Sequence, residues 1–366
     1  MKVFVGAGEA SGDQILAALL RGLREECAAR GLPLEVSGFG GARCEAQGLR
    51  SLVPLRDLAV NGLFDVLRRL LFLAPAYARL RRALAAFRPD LVLLVDYPGM
   101  NLGLAREARA RGIPVHFVAP PQLWAYRAPG ARLRRLRRSL AGASLQFLFP
   151  FETLPYLPWN GRVSQGHFFP EPAFDPPRGT RLLLCPGSRR GVMTRNLPLW
   201  LDNVETFFGT LEGVDVLVPE YLREEALRIS EVRGSAQILT DRDMAFARAG
   251  AAIAFPGTIT LELFLRRIPT RAWAVVDPLT RWIGRRSLRG PHLSLPNVLA
   301  AQEIVTEWAG TAAEFARNPP RLPEKISEWN GEDAAAAVAR VWAAMGSERG
   351  VEAGVRACLE IIQNSR

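Results

Sequence analysis

The sequence predicts an α/β chain of two doubly wound, Rossmann-like domains with a cleft between them, on three observations. Short apolar runs of strand length alternate with longer amphipathic segments over residues 2–149. A proline-rich stretch, HFFPEPAFDPPRGTR at 167–181, then interrupts the rhythm. After it the alternation resumes and runs to residue 276. Strand–helix alternation of this kind builds parallel sheets covered on both faces, and ligands of such sheets sit beyond the carboxyl ends of the strands. A chain of 366 residues, 49% hydrophobic and 23% charged, can fill two such cores.

Each element follows from its local pattern. Strands are expected at 2–5, 34–38, 91–95, 114–119 and 145–149 in the first half. The second half places them at 181–185, 214–218, 236–239, 251–255 and 271–276. Residues 14–30 read as a helix because Ile15, Leu16, Leu19, Leu20 and Leu23 share a face, and Gly31 ends it. Further helices are expected at 63–87, with a break at Pro75, and at 102–111 and 131–141. The domains are then 1–172, 173–335, and a tail of helices at 336–366 that packs back on the first domain or on a partner subunit.

Composition excludes several classes. The net charge of +11 comes almost wholly from arginine, which suits phosphate, nucleic acid or an anionic membrane surface. No RNA-binding motif or zinc finger accompanies the basic stretches, so no nucleic acid is expected. Four dispersed cysteines without a CxxC pair fit a reduced protein, and three scattered histidines give no metal cluster. The start, MKVFVGAG, reads as a strand running into glycines rather than a secretory leader. No uncharged apolar run reaches the ~18 residues of a membrane span.

Several strand ends carry chemistry. VLLVDYPGMN at 92–101 delivers one carboxylate, Asp96, to the lip of an apolar strand. GAGEASGD at 6–13 follows the first strand; its glycine spacing is not GxGxxG, but Ser11 or Asp13 can cap free N–H groups. In LLLCPGSRRG at 182–191, Gly187 lets amides face a ligand, Ser188 adds a hydroxyl and Arg189 a forked cation, a set suited to a diphosphate. AFPGTITLELF at 254–264 repeats the design with Gly257 and Thr258, and Glu262 is a candidate acceptor for ribose hydroxyls. In APPQLWAYR at 119–127, Trp124 and Tyr126 are candidate walls for a sugar or an acyl chain, or core aromatics, and Gln122 is a candidate substrate-binding residue. The stretch 60–82 is apolar beyond one helical face, with Leu63, Phe64, Leu67, Leu70 and Leu71 suited to a bilayer interface. RLRRLRR at 132–138 adds five arginines that anionic lipid would attract.

In chain order GEASGD, VDYPGMN, PPQLWAYR, FPFE (149–152), GH (166–167), PGSR, PGTITLE and SLPN (294–297) resemble the lipid-A-disaccharide synthase family, inverting glycosyltransferases of the glycosyltransferase B fold. The resemblance spans about residues 3–310. It implies transfer from UDP-2,3-diacylglucosamine to the 6-hydroxyl of 2,3-diacylglucosamine 1-phosphate, forming a β-1,6 bond and releasing UDP. It implies Asp96 as general base, with Ser11, Gly12 and Asn101 near the reaction centre. Arg189 then falls near the diphosphate, and Ser188, Thr258, Glu262 and Asn297 on the uridine-diphosphate side, with Gly187 and Gly257 as substrate-binding glycines of the same two turns. It further implies no cofactor or metal, a peripheral position on the inner face of the cytoplasmic membrane, and a homodimer exchanging C-terminal helices. The sequence departs from the family pattern at Gly99, Val192, Pro256, Phe168–Phe169 and Glu307–Gly310. A UDP-sugar transferase with another lipid acceptor, a sugar 2-epimerase or a non-catalytic lipid-binding homologue are the alternative readings.

Overall fold

The computed structural model describes residues 1–58, 63–156, 159, 161–173, 175, 179–231, 236–288, 290–323 and 334–364, with side chains omitted at 56–57 and 63–72. The five candidate acyl-contacting side chains, Leu63, Phe64, Leu67, Leu70 and Leu71, therefore lie outside the described residues. The chain divides into two compact units, Met1–Phe168 with Met345–Arg366, and Phe169–Ala344.

The first unit is built on six parallel strands: β1 (Lys2–Ala7), β2 (Glu35–Phe39), β3 (Leu91–Val95), β4 (Val115–Val118), β5 (Ser144–Phe147) and β6 (Val163–Gln165). Their order is β2-β1-β3-β4-β5-β6. The helices between them are α1 (Ala10–Ala29), α2 (Ala42–Glu45), α3 (Leu55–Leu58), α4 (Leu63–Phe87), α5 (Pro98–Ala110) and α6 (Pro129–Leu140). β3 is buried at all five positions, as a strand covered on both faces must be. One core joins Phe4, Val92, Leu94, Phe117 and Phe147 of the sheet to Leu80 and Leu84 of α4 and Leu104 of α5.

The second unit repeats the plan with β7 (Arg181–Cys185), β8 (Val214–Leu217), β9 (Gln237–Leu239), β10 (Ala249–Ala254), β11 (Thr270–Val275) and β12 (Thr306–Gly310). Their order is β12-β11-β10-β7-β8-β9, again all parallel. Its helices are α7 (Arg190–Phe208), α8 (Arg223–Glu231), α9 (Arg242–Arg248), α10 (Thr258–Leu265), α11 (Pro278–Ser287), α12 (Leu295–Ala300), α13 (Ala312–Arg317) and α14 (Ala334–Ala344). Trp200 of α7 meets Trp273 of β11 edge-on at 6.1 Å in the core. The last helix, α15 (Gly350–Asn364), returns to the first unit and packs on α1, where Val355 and Val351 close over Gly22.

One expectation is corrected, and two more are made specific. α4 runs through Pro75 without ending there. Proline removes one helical hydrogen bond, and the packing of Tyr77, Leu80 and Leu84 on the core holds the following turns. Leu133, Leu136 and Leu140 of α6 are buried in that core, so the basic stretch offers solvent its arginines and not an apolar face. Asp13 caps α2 rather than its own helix: its carboxylate accepts from Gly41 N at 2.7 Å, Arg43 N at 3.1 Å and Cys44 N at 3.2 Å.

Candidate active site

In the first unit the chain passes from β1 to β2 on one side and then crosses to β3 on the other. The gap beyond the carboxyl ends of β1 and β3 is thus a topological switch point, where open parallel sheets bind ligands. Two expected segments meet there, since Ala7 pairs with Val95. Ser11 and Gly12 open α1, whose N-cap residue Glu9 makes no side-chain cap. Asp96 follows β3 and, with Tyr97, adopts the left-handed region at φ 48° and 50°. Two adjacent non-glycine residues there are strained and need strong surroundings. Those surroundings are visible. Asp96 N donates to the Val118 carbonyl at 2.9 Å, and Tyr97 Oη donates to the Leu58 carbonyl at 2.7 Å. The Tyr97 ring lies across Gly8, where a Cβ would stand 2.3 Å away, so that glycine is required for close approach.

Asn101 is wholly buried, and its Nδ2 lies 3.2, 3.1 and 2.8 Å from the carbonyls of Gly6, Val95 and Asp96. It ties the ends of β1 and β3 together from beneath. The structure therefore gives Asn101 a holding role at the turn that carries Asp96.

Beside this turn lies a residue to which the sequence assigned no role. Glu152, last residue of FPFE, is 4% exposed, and its carboxylate accepts from Leu148 N at 2.8 Å and Phe149 N at 3.2 Å. Gln122 Nε2 reaches it at 3.5 Å. Burial pushes the Glu152 pKa up to about 7 against the pull of those amides, and the nearby Asp96 carboxylate raises it further. The indole N–H of Trp124 is buried without a partner at hydrogen-bonding distance, yet its positive end favours the Glu152 anion as a longer contact. Trp124 packs edge-on against Phe151 at 5.0 Å, and Tyr126 carries the Arg132 guanidinium 3.7 Å above its ring. The signal in the sequence was a lone acid in an aromatic motif at a strand end.

The second unit has its switch point between β7 and β10. The two turns expected at a diphosphate leave these neighbouring strands, and Phe255 N donates to the Cys185 carbonyl at 2.9 Å. Gly187 has φ 114°, and a Cβ there would stand 2.6 Å from Val192 Cγ1. Only glycine satisfies both conditions. Ser188 and Arg189 are exposed where α7 begins, with Arg189 at an N-cap that forms no side-chain cap. Its neighbour Arg190 is engaged with Glu225 at 2.7 Å. Thr258 is the first residue of α10, behind Gly257. Two helix amino ends, each with positive partial charge, thus flank one edge. Glu262 is 8% exposed and ion-paired with Arg242. Asn297 is fully buried and fully used. It accepts from Ile304 N and Val305 N, both at 2.8 Å, and donates to the Val305 carbonyl and Glu307, both at 2.7 Å. It holds the loop before β12 in place.

Among the described residues no group of three or more His, Cys, Asp or Glu side chains is arranged for a metal ion, and no helix is long and apolar enough to cross a membrane. Solved structures of the same architecture include spinosyn rhamnosyltransferase SpnG complexed with thymidine diphosphate. It has a TM-score of 0.56 and 14% identity, with 98% of this chain and 100% of that one covered. UDP-GlcNAc 2-epimerase from Neisseria meningitidis, bound to UDP-GlcNAc, has a TM-score of 0.56 and 11% identity, covering 100% of each chain. The fold class is thereby that of the glycosyltransferase B enzymes, with two Rossmann-like domains. A family model described as lipid-A-disaccharide synthetase matches residues 3–160 and 175–345. Lipid-A-disaccharide synthase of Alkalilimnicola ehrlichii is 33% identical over 86% of this chain and 86% of its own length. That of Neisseria gonorrhoeae is 30% identical over 89% and 86%. The chain belongs to the lipid-A-disaccharide synthase family, and it is a hexosyltransferase that forms a disaccharide.

Proposed function

We propose that this enzyme transfers 2,3-diacylglucosamine from UDP to the 6-hydroxyl of 2,3-diacylglucosamine 1-phosphate, with inversion to a β-1,6 bond and release of UDP. The observation that carries the reading is the position of the expected residues at both switch points: Asp96 with Ser11 and Gly12 at one, Gly187–Arg189 with Gly257 and Thr258 at the other. An inverting transfer needs one base for the attacking hydroxyl and no covalent intermediate. Asp96 takes the 6-hydroxyl proton as that oxygen attacks the anomeric carbon and the bond to the UDP oxygen breaks. Ser11 Oγ and the first amides of α1 orient the acceptor, and Asn101 keeps the Asp96 turn rigid. Gln122 and Trp124 wall the sugar.

The charge left on UDP is met by Arg189, Ser188 and the amino ends of α7 and α10, so this reading requires neither metal nor cofactor. Glu262, its carboxylate steadied by Arg242, accepts from ribose hydroxyls, and Asn297 supports the uridine side from beneath. Acylated donor and acceptor reside in a bilayer, which makes the enzyme peripheral to the cytoplasmic face of the membrane. The test is Asp96→Asn assayed with UDP-2,3-diacylglucosamine and 2,3-diacylglucosamine 1-phosphate, the lipid product being read by mass spectrometry. Transfer is expected to fall at least a thousandfold while UDP affinity stays unchanged. A loss of UDP affinity equal to the loss of rate would remove Asp96 from the role of base.

A further inference from the structure

Helix α11 has the sequence PLTRWIGRRS and buries none of its residues. Its attachment to the second unit is polar. Arg281 donates to the Ala309 carbonyl at 2.8 Å and pairs with Glu314 at 2.8 Å. Asp277 caps the first turn by accepting from Thr280 N at 2.8 Å. With Arg281 turned toward these partners, Leu279, Trp282 and Ile283 remain 38%, 56% and 41% exposed. Their spacing of three and four residues places them on one stripe. Arg285 and Arg286 are exposed on the next turn, and the Arg286 guanidinium lies 4.4 Å above the Trp282 ring. The helix itself carries no acidic side chain, and the only acid at its start, Asp277, is committed to the cap.

A second copy of the chain is a poor occupant for this stripe. A stable dimer buries ~800 Å² on each partner, more than three partly exposed side chains supply. An anionic bilayer fits on both counts. An interfacial helix presents a short apolar stripe with tryptophan at headgroup depth, flanked by cations that meet lipid phosphates. Long arginine side chains beside an indole ring let the cation stay in the polar layer while the ring enters the acyl boundary.

We propose that α11 is a lipid-contacting element of the second unit: Leu279, Trp282 and Ile283 enter an anionic leaflet, and Arg285 and Arg286 hold its phosphates. The choice of a bilayer as occupant rests on the proposed reaction between acylated sugars. The test uses the full chain and sedimentation with vesicles of phosphatidylethanolamine and phosphatidylglycerol, compared with vesicles of phosphatidylcholine. Trp282→Ser with Ile283→Ser is expected to weaken partitioning into both vesicle types about tenfold. Arg285→Gln with Arg286→Gln is expected to lose about tenfold of the preference for the anionic vesicles. Both variants keep the melting temperature, because the changed side chains are exposed, and both keep transfer between detergent-dispersed substrates. Unchanged partitioning of both variants overturns the proposal, as does a fall in sedimenting mass without vesicles, which would assign the stripe to a second copy. Vesicle binding lost in the variants while the wild type transfers no sugar would sink the proposed reaction and leave this surface standing.

Discussion

Asp96 and Glu152 are two carboxyl groups beyond the carboxyl edge of one sheet, after β3 and β5, with opposite surroundings. Asp96 sits partly open on a strained turn, while Glu152 is enclosed by aromatic rings and two amides. Because burial raises the Glu152 pKa to about 7, the folded state keeps its proton where the unfolded chain releases it. The stability this proton confers is complete below the ordinary glutamate range and is lost as pH rises through about 7. A displacement of this size corresponds to about 3 kcal/mol. Glu152→Gln is therefore expected to gain in melting temperature relative to the wild type as pH is raised from about 5 to about 8, read by calorimetry. A difference that stays flat across that range would show that Glu152 is ionised throughout. His116 works in the other direction. Wholly buried between Ser144 and Gln146, its pKa is lowered to about 4, so the stability it confers is present above the ordinary histidine range and is lost as pH falls through about 4.

Strand, turn and helix amino end form the working element in both units, and its tolerance depends on the turn. Gly187→Ala places a methyl group against Val192 in a backbone region that L-residues rarely adopt. UDP affinity, measured by titration calorimetry, is expected to fall at least tenfold. Gly99→Ala serves as the matched control. Nothing lies within 4 Å of its Cβ position, so affinity and melting temperature stay at wild-type values. At this scale much of the architecture was legible. Leu91–Val95 and Arg181–Cys185 are strands with the expected bounds, because an apolar run of five residues ending at a turn admits little else. β6 and β12 were not legible. Val163–Gln165 and Thr306–Gly310 are largely polar or half-exposed, and they become strands by pairing with β5 and β11 at the sheet edges.

At the scale of the molecule, a buried polar relay ties the end of the chain to its beginning. Gln146 Nε2 donates to the Gly350 carbonyl at 2.7 Å, and Gln146 Oε1 lies 3.1 Å from His116 Nε2. Gln146→Leu would remove the side-chain partner of both groups, at about 2 kcal/mol. Amide exchange of α15 is expected to quicken first in that variant; unchanged protection of α15 would show that apolar packing on α1 suffices to hold it. What the sequence determined by itself was the parallel α/β alternation of a doubly wound fold and the strand ends bearing Asp96, Arg189 and Thr258. These follow from local periodicity and turn chemistry, which act over a few residues. Tertiary structure alone decided which side chains are spent inside the fold. Asn101 and Asn297 became clamps, Asp13 a cap for a distant helix, the leucines of α6 core, and Glu152 a neighbour of Asp96. The physical reason is that burial and hydrogen-bond partners are set by strand order, and strand order brings together segments that no local pattern links.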